Sequence, residues 1–137
     1  MKTSDYININ KSTWNDKVDV HIESDFYDME GFLNGKLTLN AIELELLGNV
    51  KGKKVLHLQC HFGQDTMTFS RIGAIATGID FSEKAIEKAR EFNQNLGLDA
   101  NFICCDIYDL PNHLNIELLE FYMIENLHVF TCYKKIK

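Results

Sequence analysis

The sequence predicts an α/β protein with a doubly wound parallel sheet. Three short apolar segments, residues 54–58, 75–79 and 101–105, alternate with two segments of helical periodicity. Strands that alternate with helices at this spacing are typical of parallel βαβ units joined by right-handed crossovers. The length of 137 residues fits one domain with one hydrophobic core.

The part of the chain before the first strand is less regular. Residues 1–35 are polar and aromatic without a clean period, so we expect an irregular segment with short helices. Asn40 or Thr38 is suited to cap a helix of about ten residues that Gly48 ends. After the first strand, residues 64–72 have the spacing of a second helix.

The helix after the second strand has the clearest signals. Ser82 is a strong N-cap, and apolar residues repeat along one face of the segment that follows: Ala85, Ile86, Ala89, Phe92 and Leu96. A helix with such a face covers one side of a sheet. Beyond the third strand, residues 106–111 are predicted to form a loop that ends at Pro111, the only proline of the chain.

The last part of the chain differs in composition. Residues 112–137 contain no glycine, proline or aspartate, and within them only residues 116–124 offer a fourth apolar segment. We therefore divide the chain into an amino-terminal segment, 1–35, a partial cofactor-binding domain, 36–111, and an atypical tail, 112–137. We expect only the amino-terminal half of the sheet, and our hypothesis for the tail is a truncated or frame-shifted reading.

Composition narrows the class of protein. A net charge of −6 and a pI near 5.3 leave no sequence-wide basic footprint, so we expect no nucleic-acid partner. No apolar run approaches the ~20 residues of a membrane span. The start lacks an apolar signal region, so we expect a cytoplasmic location and no membrane association. Four cysteines without a CxxC pair indicate reduced thiols.

The carboxyl ends of the strands are the positions to search for a ligand, because open parallel sheets bind ligands there. These ends carry residues 59–63, Asp80 with Phe81, and residues 105–107. Asp80 follows Gln59 by about 20 residues, the spacing at which an acid accepts from ribose hydroxyls. The alternative is that Asp80 only helps to start the helix behind it.

Two more of these positions have a binding and a structural interpretation. Phe81 either lies along an adenine ring or packs in the core, and Asp106 either accepts from an adenine amino group or bonds its own backbone. The first loop keeps only Gly63 of a G-x-G-x-x-G fingerprint, so we expect no pyrophosphate cradle. A ligand with ribose and adenine but without phosphate fits better.

The first loop also contains residue types that bind metals or act as nucleophiles. His57, Cys60 and His61 are zinc-ligand types, but a strand that turns into a loop directs residues 57 and 60 to opposite faces. Cys60 is also a candidate thiol nucleophile, because it precedes a helix amino terminus and has imidazoles nearby. We expect neither a metal site nor a catalytic thiol.

Several separated motifs of the chain match one known family in order. Residues 57–66 read HLQCHFGQDT, TGIDFSEKAIEKAR surrounds Asp80, and D-x-Y-D-L-P spans residues 106–111. With the earlier segment HIESDFYDMEGFLNGKLTLNAIELELLG, these motifs resemble the class I S-adenosylmethionine-dependent methyltransferases. The resemblance covers about residues 14–111. It implies a Rossmann-like fold, S-adenosylmethionine as cofactor, and methyl transfer to a small-molecule acceptor.

The resemblance and the strand ends together give eight candidate cofactor-binding residues: His57, Gln59, His61, Gly63, Asp80, Phe81, Asp106 and Ile107. The resemblance implies that the loop residues line the methionine end of the cofactor, that Asp80 holds the ribose, and that Asp106 with Ile107 borders the adenine. His57 stands where the family has an acid, while Gln59 and His61 stand where it has glycines.

Further roles are left open by the sequence. The amino-terminal segment, Tyr27 above all, is expected to form a lid or simply to pack against the domain. His21 and His61 are candidates for a base that deprotonates the acceptor, and we assign no catalytic residue. The alternative to an enzyme is a non-catalytic nucleotide-binding fragment or binding module.

Overall fold

The computed structural model describes residues 2–114, 121–124 and 134–136. The helices are α1 Thr3–Ile22, α2 Met29–Leu33, α3 Ala41–Leu47, α4 Gln64–Arg71 and α5 Glu83–Asn95. The strands are β1 Lys54–Leu58, β2 Ile75–Asp80, β3 Asn101–Cys104, β4 Phe121–Ile124 and β5 Lys134–Ile136, and a 3-10 helix spans Ile107–Asn112.

The strands form one sheet in the order β3-β2-β1-β4-β5. β1 pairs in parallel with β2 on one side and with β4 on the other, and β2 pairs in parallel with β3. β5 is antiparallel to β4. The order reverses beside β1, because the chain moves outward through β2 and β3 and then returns to the other side of β1. The predicted Rossmann-like doubly wound sheet is confirmed, with its switch point at the carboxyl end of β1.

The core lies on both faces of the sheet. On one face, Val55 of β1 packs with apolar side chains of α4 and α5: Met67, Phe69, Ile86 and Ala89. On the other face, a smaller cluster contains Leu56, Leu58, Ile79, Cys105 and Leu110. Successive strand residues alternate between faces, so His57 shares the α4 side with Val55. Its ring is edge-on to the ring of Phe69.

The expectation of short helices in the amino-terminal segment is wrong for its first part, because α1 is a continuous helix of 20 residues. Among its residues only Val18 is buried. The helix is held to α5 by polar contacts: Asn15 Oδ1 accepts from Ser82 Oγ at 2.5 Å, and Lys84 is paired with Asp19 at 2.5 Å. A helix anchored in this way has no strong apolar stripe, and therefore its periodicity is hard to detect in the sequence.

Other elements differ from expectation in detail. α3 is shorter than the predicted ten residues, although Asn40 caps it as expected by accepting from the Glu43 N–H at 2.9 Å. Residues 106–111 were expected to form a loop, and most of them lie in the 3-10 helix. Asp106 starts that helix by accepting from the Tyr108 N–H at 2.9 Å. A 3-10 helix this short carries no periodic signal.

The predicted tail, residues 112–137, is described only in part. Residues 115–120, 125–133 and 137 lie outside the described residues, as does most of the predicted apolar segment 116–124. The described strands β4 and β5 extend the sheet beyond the three strands delineated in the sequence. The three-part division of the chain and the origin of the tail stay predictions. Within the described ranges, no helix has the length and apolar character needed to cross a membrane.

Candidate functional site

A cavity of about 790 Å³ lies at the carboxyl ends of β1, β2 and β3. All eight residues predicted for the site line it: His57, Gln59, His61, Gly63, Asp80, Phe81, Asp106 and Ile107. The amino-terminal part of the chain completes the wall with residues that include Trp14, Tyr27 and Thr38. The strand-end rule therefore finds one side of the cavity, and the segment before β1 supplies the other.

The loop after β1 has an unusual backbone. Gln59, His61 and Gly63 adopt left-handed φ angles of 55°, 53° and 82°. A left-handed conformation costs a residue with a side chain roughly 1–2 kcal/mol relative to glycine. These are the positions at which the resemblance places glycines. The loop thus has a glycine-type backbone, while two of the three positions carry side chains.

Glycine is required at two places beside this loop. A Cβ added to Gly63 would lie 2.5 Å from the Phe102 ring, in addition to its left-handed φ. A Cβ on Gly78 of β2 would lie 2.7 Å from Thr66 Oγ1 and 2.9 Å from Cys60 Sγ. The loop and the first turn of α4 therefore pack directly against the backbone of β2.

Asp80 helps to start α5 and also lines the cavity. Its Oδ1 accepts from the Ser82 N–H at 2.9 Å, which helps to start α5, and its Oδ2 accepts from the His61 N–H at 2.9 Å. Burial raises the pKa of this carboxyl, against the lowering effect of the backbone N–H bonds. With the Phe81 N–H, three backbone donors use three of the roughly four acceptor positions of the carboxylate, and one remains. Asp80 is therefore able to accept from a ligand without losing its bonds to the protein.

The residues predicted at the adenine end lie together at the carboxyl ends of β2 and β3. Phe81 is half-buried, and Ile107 packs against the cluster on the second face of the sheet. Asp106 bonds the backbone of the 3-10 helix, as its structural interpretation predicted, and its side chain also lines the cavity. Neither interpretation of Asp106 excludes the other.

His57 is buried in the wall of the cavity, with 2% of its surface exposed. Its Nδ1 lies 2.8 Å from Thr66 Oγ1. Its Nε2 has no hydrogen-bond partner among the residues that the structure describes. Burial lowers the pKa of this imidazole, and the nearby Asp65 carboxylate opposes that shift. The lowered pKa favours the neutral form of His57.

Aromatic and imidazole rings join the amino-terminal segment to the loop. His21 Nδ1 lies 2.9 Å from His61 Nε2. Tyr27 stacks on His21 with 5.1 Å between ring centroids, and Trp14 is edge-on to His61 at 5.6 Å. Burial, and to a lesser extent His21, lowers the pKa of His61 to about 4. The two candidate bases thus form a pair, with His61 on the cavity and His21 behind it.

The structure shows the environment of the Cys60 thiol and of the possible metal ligands. The Cys60 side chain is buried, and burial raises its thiol pKa well above the ordinary range. A thiol in this environment is protonated and inert. Over residues 2–114 and the described strands that follow, no group of three or more His, Cys, Asp or Glu side chains is arranged to hold a metal ion.

The family model described as "Methyltransferase domain" matches residues 55–134, which is more than half of the chain. The chain belongs to this methyltransferase domain family. The resemblance to class I S-adenosylmethionine-dependent methyltransferases is thereby confirmed, and S-adenosylmethionine is the cofactor of that family.

Relatives of this methyltransferase domain include longer proteins. A ubiquinone biosynthesis O-methyltransferase of Coxiella burnetii is 29% identical over 89 residues, which are 63% of this chain and 38% of the relative. An uncharacterized protein of Haemophilus influenzae is 33% identical over 113 residues, 77% of this chain and 44% of its own. The chain therefore spans about two fifths of the length of these relatives.

Solved structures agree on the fold. A structure from work on the conversion of a disulfide bond into a thioacetal group during echinomycin biosynthesis has 32% identity and a TM-score of 0.52, over 62% of this chain and 35% of that one. Phosphoethanolamine N-methyltransferase 1 of Haemonchus contortus has 20% identity and a TM-score of 0.56, over 77% and 22% of the two chains. The methyltransferase domain shares their architecture.

Some lining residues of the methyltransferase domain were missed by sequence reasoning. Trp14 lies on α1, whose polar character hid the helix, and Thr38 and Asp65 lie within motifs of the resemblance but were assigned no place in the cavity. Thr38 Oγ1 donates to Asp65 Oδ1 at 2.5 Å, which ties the segment before α3 to the first turn of α4. The signal available for Asp65 was its place two residues after Gly63, in the turn that starts α4.

Proposed function

We propose that this chain forms the cofactor-binding part of an S-adenosylmethionine-dependent methyltransferase that acts on a small-molecule acceptor. The observation that carries the proposal is the cavity at the switch point, which brings the eight predicted residues to one place. Its volume of about 790 Å³ lies in the range of roughly 300–1,000 Å³ that is usual for small-molecule and cofactor sites.

The residues present fit this cofactor chemically. Asp80 keeps an acceptor position for a ribose hydroxyl, and Phe81 with Ile107 offers an apolar border for an adenine ring. The left-handed loop from Gln59 to Gly63 follows the backbone path that a glycine-rich cofactor loop needs. When bound, S-adenosylmethionine supplies an activated methyl group on its sulfonium. The task of these residues is to bind and orient it beside the acceptor.

A small-molecule acceptor is supported by the relatives and by charge. The Coxiella relative is named for ubiquinone biosynthesis, although a 23S rRNA methyltransferase of Xylella fastidiosa is also 34% identical over 84 residues. The net charge of −6 gives a polyanionic acceptor no general attraction. We therefore favour a small acceptor over a nucleic acid.

Calorimetric titration of the purified chain with S-adenosylhomocysteine tests the proposal. We expect binding by the wild type and at least a tenfold weaker Kd for Asp80→Asn, because a neutral amide is a poorer acceptor for hydroxyls. Asp99→Asn, an exposed carboxylate outside the cavity, is the matched control and should bind as the wild type does.

Two outcomes contradict the proposed function. One is an absence of binding at millimolar S-adenosylhomocysteine, and the other is tighter binding of a nicotinamide dinucleotide. Binding without methyl transfer to any tested small acceptor would favour the non-catalytic binding module instead.

A further inference from the structure

One buried atom in the cavity wall has no hydrogen-bond partner among the described residues. His57 Nε2 is buried, and no described residue pairs with it. Leaving a buried polar group unpaired costs on the order of 1–3 kcal/mol, and native structures hold few such groups. His57 is one of the residues that line the cavity, so its ring lies in the wall that an entering ligand contacts.

The neighbour of the other nitrogen decides which of the two carries the proton. Thr66 is fully buried, and its Oγ1 lies 2.8 Å from His57 Nδ1. A buried hydroxyl needs an acceptor for its proton, and the other candidate is the nearby Cys60 sulfur. A thiol sulfur is a weak acceptor compared with an imidazole nitrogen. The Thr66 hydroxyl therefore donates to Nδ1, and the single ring proton of His57 is on Nε2.

We infer that His57 Nε2–H is a hydrogen-bond donor to an oxygen acceptor of the ligand, namely the carboxylate at the amino-acid end of the cofactor. The inference rests on the proposed function and makes it more specific. The family resemblance places an acid, which accepts hydrogen bonds, at this position. In this chain the side chain at the same position donates a hydrogen bond instead of accepting one.

Asp65 supplies the acceptor that the ammonium group of a zwitterionic ligand needs once His57 is a donor. Its carboxylate lines the same cavity and is close enough to influence the charge state of His57. Thr38 holds one carboxylate oxygen in place. A ligand with a carboxylate and an ammonium group therefore meets a donor at His57 and an anion at Asp65.

The protonated nitrogen is measurable without any ligand. Nitrogen-15 spectra of the histidine rings at pH 7.5 should show His57 as the neutral form with its proton on Nε2. Thr66→Val, which removes the hydroxyl and keeps the shape, should shift His57 toward a mixture of both neutral forms. A proton on Nδ1 in the wild type would overturn the inference, whatever the chain binds.

Ligand binding then tests the acceptor. We compare S-adenosylhomocysteine with its decarboxylated analogue, 5′-deoxy-5′-(3-aminopropylthio)adenosine, by calorimetry. The wild type should bind the carboxylate form at least tenfold more tightly. His57→Leu should lose this preference, and His57→Gln, whose amide N–H replaces Nε2–H, should recover part of it.

The outcomes separate the inference from the proposed function. If the wild type binds both ligands equally, the role of His57 is refuted while cofactor binding stands. If His57→Leu keeps the full preference, another residue holds the carboxylate, and the inference also fails. If neither ligand binds, the proposed function falls together with the ligand assignment.

Discussion

His61 should make the fold sensitive to acid. Its pKa falls from 6.5 to about 4 on folding, chiefly through burial. As the pH drops below 6.5, the unfolded chain takes up this proton before the folded chain does, so the free energy of unfolding decreases. The loss begins near pH 6.5 and is complete near pH 4, and above pH 6.5 His61 contributes no pH dependence.

The magnitude follows from the shift in pKa. A difference of about 2.5 units corresponds to about 3 kcal/mol once the pH is below 4. At pH 5.5, where the fold is less affected by the titration of carboxylates, the loss from His61 is about 1.3 kcal/mol. His21, whose pKa is also lowered by burial, acts in the same direction.

Urea unfolding at pH 7.5 and pH 5.5 measures this loss. His61→Asn is the test variant, because asparagine tolerates the left-handed φ of 53° at this position. The variant should lose about 1 kcal/mol less stability between the two pH values than the wild type. His113→Asn, an exposed histidine outside the cavity, is the control; it removes only an exposed pair with Asp109, which contributes little, so the variant should stay close to the wild type. An equal loss in the wild type and His61→Asn would refute the reasoning.

Two further predictions concern the loop backbone. Gln59→Gly should stabilise the fold by about 0.5–1 kcal/mol, because relief of the left-handed φ outweighs the greater freedom of glycine in the unfolded chain; a lower urea midpoint would contradict this. Gly63→Ala should destabilise by roughly 2–4 kcal/mol, through its φ and its contact with Phe102. Phe102→Leu added to Gly63→Ala should recover part of this loss. A Gly63→Ala variant as stable as the wild type would contradict the prediction, because the Phe102 ring would then move aside without cost.

The wall of the cavity formed by the strand ends was predictable from the sequence, because its signals are local. Asp80 and Phe81 directly follow a strand, and Ser82 caps the next helix through neighbours a few residues away. Once strands alternate with helices, topology alone brings their carboxyl ends together.

The opposite wall and the end of the sheet depend on contacts between distant parts of the chain. Asn15 on α1 bonds Ser82 across 67 positions, and no local pattern marks either residue for the other. β4 and β5 are short, and they are defined by pairing with β1 and with each other. The residue types at Gln59 and His61 gave no signal of a left-handed backbone, since residues with side chains rarely adopt it, and the only indication was that the resemblance places glycines there.

The mode of attachment of α1 has a consequence for cofactor affinity. The helix contributes Trp14 to the cavity wall, yet polar contacts and Val18 hold most of it in place. A ligand that contacts α1 and the sheet binds more tightly when α1 is docked, and by thermodynamic reciprocity it stabilises that docking by the same free energy. Substitutions on the outer contacts of α1, far from the cofactor, therefore change cofactor affinity through the docking equilibrium.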